Sequence, residues 1–141
     1  MTNSFVILEE VPLMKKNTRR PTDAELTILQ VLWDRGPSTV REVYKTLNSG
    51  KTVGYTTVLK FMQIMTDKGL VERDENCRPQ LYRPCLPREQ TERQLIKDLV
   101  DRAFGGSARR LVMQALEVKK ASPSELAQIE KLLRKLERGE K

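Results

Sequence analysis

The chain has 141 residues, of which 38% are hydrophobic and 32% charged, with a net charge of +7 and a pI near 9.6. That length fits one domain, or one domain plus an appendage, and the composition fits a modest core under a highly charged surface and a helical, oligomeric protein better than a self-contained sandwich. Histidine is absent, which excludes Ser-His and Cys-His nucleophile pairs, His-ligated zinc and the commonest general base.

The basic excess fits a polyanionic partner, since released counterions drive such binding; Lys and Arg that merely solvate helices would give the same balance. Cys77 and Cys85 match no CxxC pattern. They flank an expected hairpin, where a disulfide is sterically conceivable, whereas a cytosolic location favours free thiols. No apolar run approaches the ~18 residues of a membrane span. Phe5-Val6-Ile7-Leu8 has no preceding basic residue and is followed by Glu9-Glu10, so it does not read as a signal peptide and a cytoplasmic protein is expected.

Residues 1–20 carry no clean period and end in Lys15-Lys16-Asn17-Thr18-Arg19-Arg20, a flexible arm whose basic end could touch phosphates or simply be disordered. Thr22-Asp23-Ala24-Glu25 is a capping box that opens a first helix with the stripe Leu26, Leu29 and Trp33, widened by Ile28 and Leu32. Trp33 is expected in the core. Asp34-Arg35-Gly36-Pro37 stops that helix. Ser38 is expected to cap a second helix with Val40, Val43, Tyr44 and Leu47 on one face, and Asn48-Ser49-Gly50 opens a polar turn through Thr52.

The stretch Gly54 to Gly69 is the most informative. Thr56, Lys60, Gln63 and Asp67 fall at i, i+4, i+7 and i+11 on one face, while Val58, Met62 and Met65 line the opposite one. Leu70 to Arg73 and Gln80 to Pro84 then read as an antiparallel hairpin around the turn from Asp74 to Pro79. Three helices followed by a hairpin make a winged helix-turn-helix, whose third helix reads DNA.

Past Pro87 the pattern is purely helical. Leu95, Ile96, Leu99, Val100, Ala103 and Phe104 form one stripe ending at Gly105-Gly106. Ser107 starts a helix with Leu111, Val112, Ala115 and Leu116. Ser122-Pro123-Ser124-Glu125 caps a last helix with Leu126, Ile129, Leu132, Leu133 and Leu136. Three such helices are too few to bury their own faces; they pack either on a second subunit or back on the winged helix. The expected fold is therefore mainly α with a small antiparallel β-hairpin: an arm (1–20), a winged-helix DNA-binding domain (21–86) and a three-helix dimerisation domain (87–141).

Thr56, Thr57 and Lys60 are the candidates for base contact, because the first residues of a recognition helix reach deepest into the major groove. Capping of the helix by Thr56 and partial burial of Thr57 are the competing roles. Gln63 lies farther along, towards phosphate or solvent. Arg78, Tyr82 and Arg83 on the wing are candidates for backbone contact, although Asp74 and Glu75 oppose a wing tip pressed into DNA. Ser38, Thr39 and Arg41 begin the second helix, whose amides could hold a phosphate; Ser38 could equally be a cap. The Tyr55 hydroxyl either meets a phosphate or packs beneath the helix. No nucleophile–base pair, phosphate-cradling glycine loop or metal constellation is visible, so no enzyme, cofactor or metal is expected. A winged-helix module that docks protein or RNA without operator specificity is the alternative to a DNA-binding repressor.

Several runs together resemble the BlaI/MecI penicillinase-repressor family: Pro21 to Leu29, Leu32-Trp33, Thr39 to Val43, Gly54 to Val58, Lys68 to Val71 and Phe104 to Ser107, across about residues 20–138. Copper-responsive members of the CopY type carry a cysteine-rich C-terminal motif, and this chain has no cysteine after Cys85. The resemblance implies a homodimeric transcriptional repressor on a palindromic operator of double-stranded DNA, with the C-terminal helices intertwined. Leu95, Leu99, Phe104, Leu111, Leu116, Leu126, Ile129, Leu133 and Leu136 would form that dimer. The inducing signal would be linked to beta-lactam or cell-wall stress, and a sensor-linked protease would cut the repressor in its dimer helices. The family's cleaved Asn-Phe bond has no counterpart here: the matching segment is Leu111-Val112-Met113-Gln114-Ala115. Gln114 and Ala115 nonetheless mark a candidate cleavage region.

Overall fold

The computed structural model describes residues 20–48 and 53–139. The basic arm before Arg20 and the polar turn through Thr52 lie outside them. The described elements run α1 (Asp23–Arg35), α2 (Val40–Leu47), α3 (Tyr55–Lys68), β1 (Val71–Asp74), β2 (Leu81–Pro84), α4 (Arg88–Ala103), α5 (Ala108–Val118) and α6 (Pro123–Glu137). The chain divides into two compact units, the first closing at Leu95 and the second opening at Ile96.

In the first unit, α1 starts where Thr22 Oγ1 accepts from the Glu25 amide (3.2 Å) and Glu25 Oε1 accepts from the Thr22 amide (2.9 Å). Those two bonds satisfy amides that the helix start leaves without intrahelical partners. The helix stops at Gly36, whose φ of 91° suits a residue without Cβ, and whose amide closes on Leu32 O at 2.8 Å. Ile28, Leu29 and Leu32 of α1 meet Val40 and Val43 of α2, Val58, Met62 and Met65 of α3, and Val71 and Tyr82 of the hairpin in one buried cluster. Each buried side chain of this size contributes about 1.5–3 kcal/mol relative to exposure. The strands pair antiparallel with Val71 opposite Pro84, Glu72 opposite Arg83, Arg73 opposite Tyr82 and Asp74 opposite Leu81. Three helices and this hairpin form a winged helix.

Ser38 differs from expectation. It does not cap α2; Thr39 does, in a capping box with Glu42. Ser38 instead exchanges backbone hydrogen bonds with Tyr82 (3.0 and 2.8 Å), adding a one-residue bridge to the edge of the hairpin. Trp33 is half-buried at the margin of the core, where its Nε1–H donates to Leu86 O at 3.1 Å. That bond ties α1 to the segment leading into α4.

Cys77 and Cys85 are both free. Cys85 donates its amide to Leu70 O at the open end of the hairpin, and Cys77 lies in the turn beyond the Asp74–Leu81 pair. The intervening ladder spans about 10 Å at ~3.3 Å per residue, more than the ~4.4–6.8 Å between Cα atoms that a disulfide bridges. An intrachain disulfide is therefore excluded. The neighbouring Asp74 carboxylate pushes the Cys77 thiol up, away from the reactive thiolate.

In the second unit, Gly105 and Gly106 (φ 58° and 80°) make the left-handed turn before α5, and the Gly106 amide returns to Val100 O at 2.8 Å. Ser107 caps α5, and Ser122 with Glu125 forms the capping box of α6 behind Pro123. Neither α5 nor α6 has a buried residue. Val118 is 75% exposed and Leu136 57%.

Candidate nucleic-acid interface

The interface is built on α3. Val58, Met62 and Met65 are fully buried, which rolls the opposite face outward and leaves Thr56, Thr57, Lys60, Gln63 and Asp67 exposed. Gly54 is the N-cap and no side chain closes that end, so Thr56 is not a cap and Thr57 is not packed away. The far end is anchored. Gly69 is left-handed (φ 80°), the Leu70 amide reaches back to Met65 O at 2.9 Å, and Lys68 Nζ meets Glu25 Oε1 at 2.7 Å and Arg20 O at 3.3 Å. Glu25 is 3% exposed. Burial alone would push its carboxyl up, but the Lys68 ammonium and the Thr22 amide outweigh burial and hold it below the ordinary carboxylate value.

The other end of α3 is set by Asn48, whose side chain spans the turn that leaves α2. Its Nδ2 donates to Tyr44 O (2.7 Å) and Val53 O (3.0 Å), and its Oδ1 accepts from the Val53 amide (2.8 Å). Tyr55 then stands edge-on against Tyr44, ring centroids 5.5 Å apart, with the Arg41 guanidinium 5.3 Å from its ring centre. Tyr55 remains 38% exposed. Between α2, the first turns of α3 and the wing turn lies an open notch of about 390 Å³, lined by Thr39, Arg41, Lys45, Tyr55, Pro79 and Gln80 among others.

Two of the backbone-contact candidates, Ser38 and Tyr82, are buried, and two more, Thr39 and Arg83, already have partners within the chain. Ser38 is fully buried, its hydroxyl donating to Gly36 O at 2.8 Å. Tyr82 is only 3% exposed because its ring completes the core. Thr39 is spent on its own helix: its Oγ1 accepts from the Glu42 amide and its amide donates to Glu42 Oε1. The Glu42 carboxylate, held below its ordinary value chiefly by that Thr39 amide, occupies the end of α2 where a phosphate was expected. Arg83 faces away from the core side of the hairpin and is paired with the directly opposed Glu72, at 2.8 and 2.5 Å. Arg41, Tyr55, Gln63 and Arg78 are exposed.

Ion pairs also absorb other cations of this unit: Arg35 with Glu42, Arg73 with Glu75 and Arg88 with Asp34. Among the described residues, Arg41, Lys45, Lys60 and Arg78 enter no ion pair. The sequence reading passed over Lys45, although its spacing from Arg41 places both on one face of α2. It also missed Asn48, whose partner Val53 lies beyond the turn. No helix among the described residues is long and apolar enough to cross a membrane, and no cluster of acidic or cysteine side chains among them could hold a metal ion.

The model of the penicillinase repressor family matches residues 21–135. The chain belongs to the penicillinase repressor family. It is similar to the transcriptional regulator BlaI of two Mycobacterium tuberculosis strains, CDC 1551 / Oshkosh and ATCC 25618 / H37Rv. Both are 28% identical over 118 residues, which cover 83% of this chain and 85% of theirs. Among solved structures it is similar to a MarR family protein from Bacillus stearothermophilus, at 23% identity and a TM-score of 0.47, covering 94% of this chain and 89% of that one. That likeness is too loose to bear on function. As a family member, the protein is a transcriptional repressor and not an enzyme.

Proposed function

We propose that this penicillinase-family repressor binds a palindromic operator as a homodimer, placing α3 of each protomer in the major groove. The observation that carries the reading is the two-faced α3: Val58, Met62 and Met65 sealed in the core, and Thr56, Thr57 and Lys60 presented outward. Threonine methyls suit thymine and a lysine ammonium suits a guanine edge. The second subunit is supported by the exposed apolar faces of α5 and α6, where Leu126, Leu133 and Leu136 share a stripe with Ile129. A dimer would set the two α3 helices about 34 Å, or a multiple of it, apart along the duplex.

Release by a signal linked to beta-lactam or cell-wall stress, through a sensor-linked protease, belongs to the same proposal and rests on family membership. Gln114 and Ala115 lie on α5. Cutting there would sever the helices that join the protomers. Selection of bound duplexes from a random DNA pool at two salt concentrations tests the operator. An inverted repeat of fixed spacing at both salts is the expected result. Unrelated duplexes at low salt with none at higher salt would mean a nonspecific polyanion binder and bring protein or RNA docking to the front.

A further inference from the structure

The basic excess of the chain is not concentrated where DNA would be read. In the winged-helix unit acidic and basic side chains nearly balance, and Arg35, Arg73, Arg83 and Arg88 are tied to carboxylates within the same chain. Three further cations stand together. Arg41 and Lys45, one turn apart on α2, both line the notch beside the start of α3, and Arg78 adjoins its wing-side wall at Pro79. Arg41 is also pre-oriented, since its guanidinium lies over the Tyr55 ring, and Tyr55 is braced edge-on by Tyr44. Glu42 is the carboxylate on this rim; the Thr39 amide at 2.9 Å and Arg35 at 3.6 Å hold its oxygens, and Lys45, one turn on, attracts it without closing an ion pair.

We propose that the notch between α2, α3 and the wing turn seats the sugar-phosphate backbone of the operator, gripped by Arg41, Lys45 and the Tyr55 hydroxyl, and that this grip sets the register of α3 on DNA. The inference rests on the operator-binding proposal above and adds the residues that carry its salt dependence. A guanidinium fork poised over an aromatic ring presents two N–H groups to one phosphate, the Lys45 ammonium adds a point charge, and the hydroxyl adds a directional donor. Because Tyr55 and Leu59 of α3 form one wall of the notch, a strand seated there fixes how deep Thr56, Thr57 and Lys60 enter the groove. Arg83, committed to Glu72 on the opposite face of the hairpin, takes no part.

The test is fluorescence anisotropy of the full chain on the selected inverted repeat across a salt series. Arg41→Gln with Lys45→Gln should lose tenfold or more in affinity. It should also flatten the slope of log K against log salt by about 0.9 per charge removed in each protomer. Tyr55→Ala should lose affinity with the slope unchanged, because it removes the brace and not a charge. Arg83→Gln should keep both. Glu42→Gln, whose amide oxygen still caps Thr39, should bind more tightly than the unsubstituted chain. Thermal melting of the Arg41→Gln/Lys45→Gln variant should match the unsubstituted chain, since both side chains are exposed and enter no ion pair. A wild-type slope in the Arg41/Lys45 variant, or an equal loss in Arg83→Gln, would overturn the clamp and leave the operator proposal standing. Failure of the unsubstituted chain to select an inverted repeat would overturn both.

Discussion

The winged-helix unit and the two C-terminal helices are built from similar amphipathic patterns and end in opposite states. In the first, the apolar stripes of α1, α2 and α3 converge with Val71 and Tyr82, and ten hydrophobic side chains are buried. In the second, α5 and α6 bury nothing, though α6 carries as regular a leucine stripe as α1. Amphipathicity states that a face must be covered; it does not state by what. Around α3 the cover comes from the same chain. For α5 and α6, a second copy is the proposed cover.

The contrast can be broken most severely at Leu133 and Leu136. Replacing both with Glu should yield monomers by sedimentation, with operator affinity down by about 10²–10⁴-fold once the two half-sites no longer act together. The winged-helix unit should keep its helical signal. Leu32→Ala strikes the other side: it opens a cavity in a closed core and should cost about 2–5 kcal/mol at any protein concentration. Truncation of Leu133 should instead act through a loss that depends on concentration. Urea denaturation at two protein concentrations separates the two cases.

A smaller effect lies at the anchor of α3. The Glu25 carboxyl is depressed in the folded chain, so the stabilisation from its pair with Lys68 is complete above its unfolded value and drains away as pH falls through the lower folded value. Glu25→Gln should therefore show a flatter loss of stability below about pH 4.5 than the unsubstituted chain, read as Tm against pH. Gly69→Ala, at φ 80°, should cost about 1–2 kcal/mol by forcing a side chain into the left-handed region. Ser122→Ala should cost about 1 kcal/mol through the lost cap of α6.

Local chemistry was legible in the sequence. The capping boxes at Thr22 and Ser122, the stops at Gly36 and Gly69, and the two faces of α3 all follow from residues within a turn or two of one another. What escaped depends on distant partners. Ser38 looked like a cap because its backbone pairing with Tyr82 belongs to another element, although the pattern Thr39-x-x-Glu42 already marked the better cap. The Arg83 pair with Glu72 escaped because the two come opposite each other only in the realised hairpin register. Tyr82 read as a wing aromatic, and its burial is decided by helices on the far side of the core. Lys45 shares a face of α2 with Arg41 by spacing alone, but the notch that gives that face a use forms only when the wing turn closes beside it.

The most direct measurement is the mass of the protein free and on its selected duplex, by sedimentation equilibrium or native mass spectrometry. Two chains in the free species and two chains per inverted repeat are the expected masses. A single chain in both would contradict the proposal that α5 and α6 are completed by a second copy.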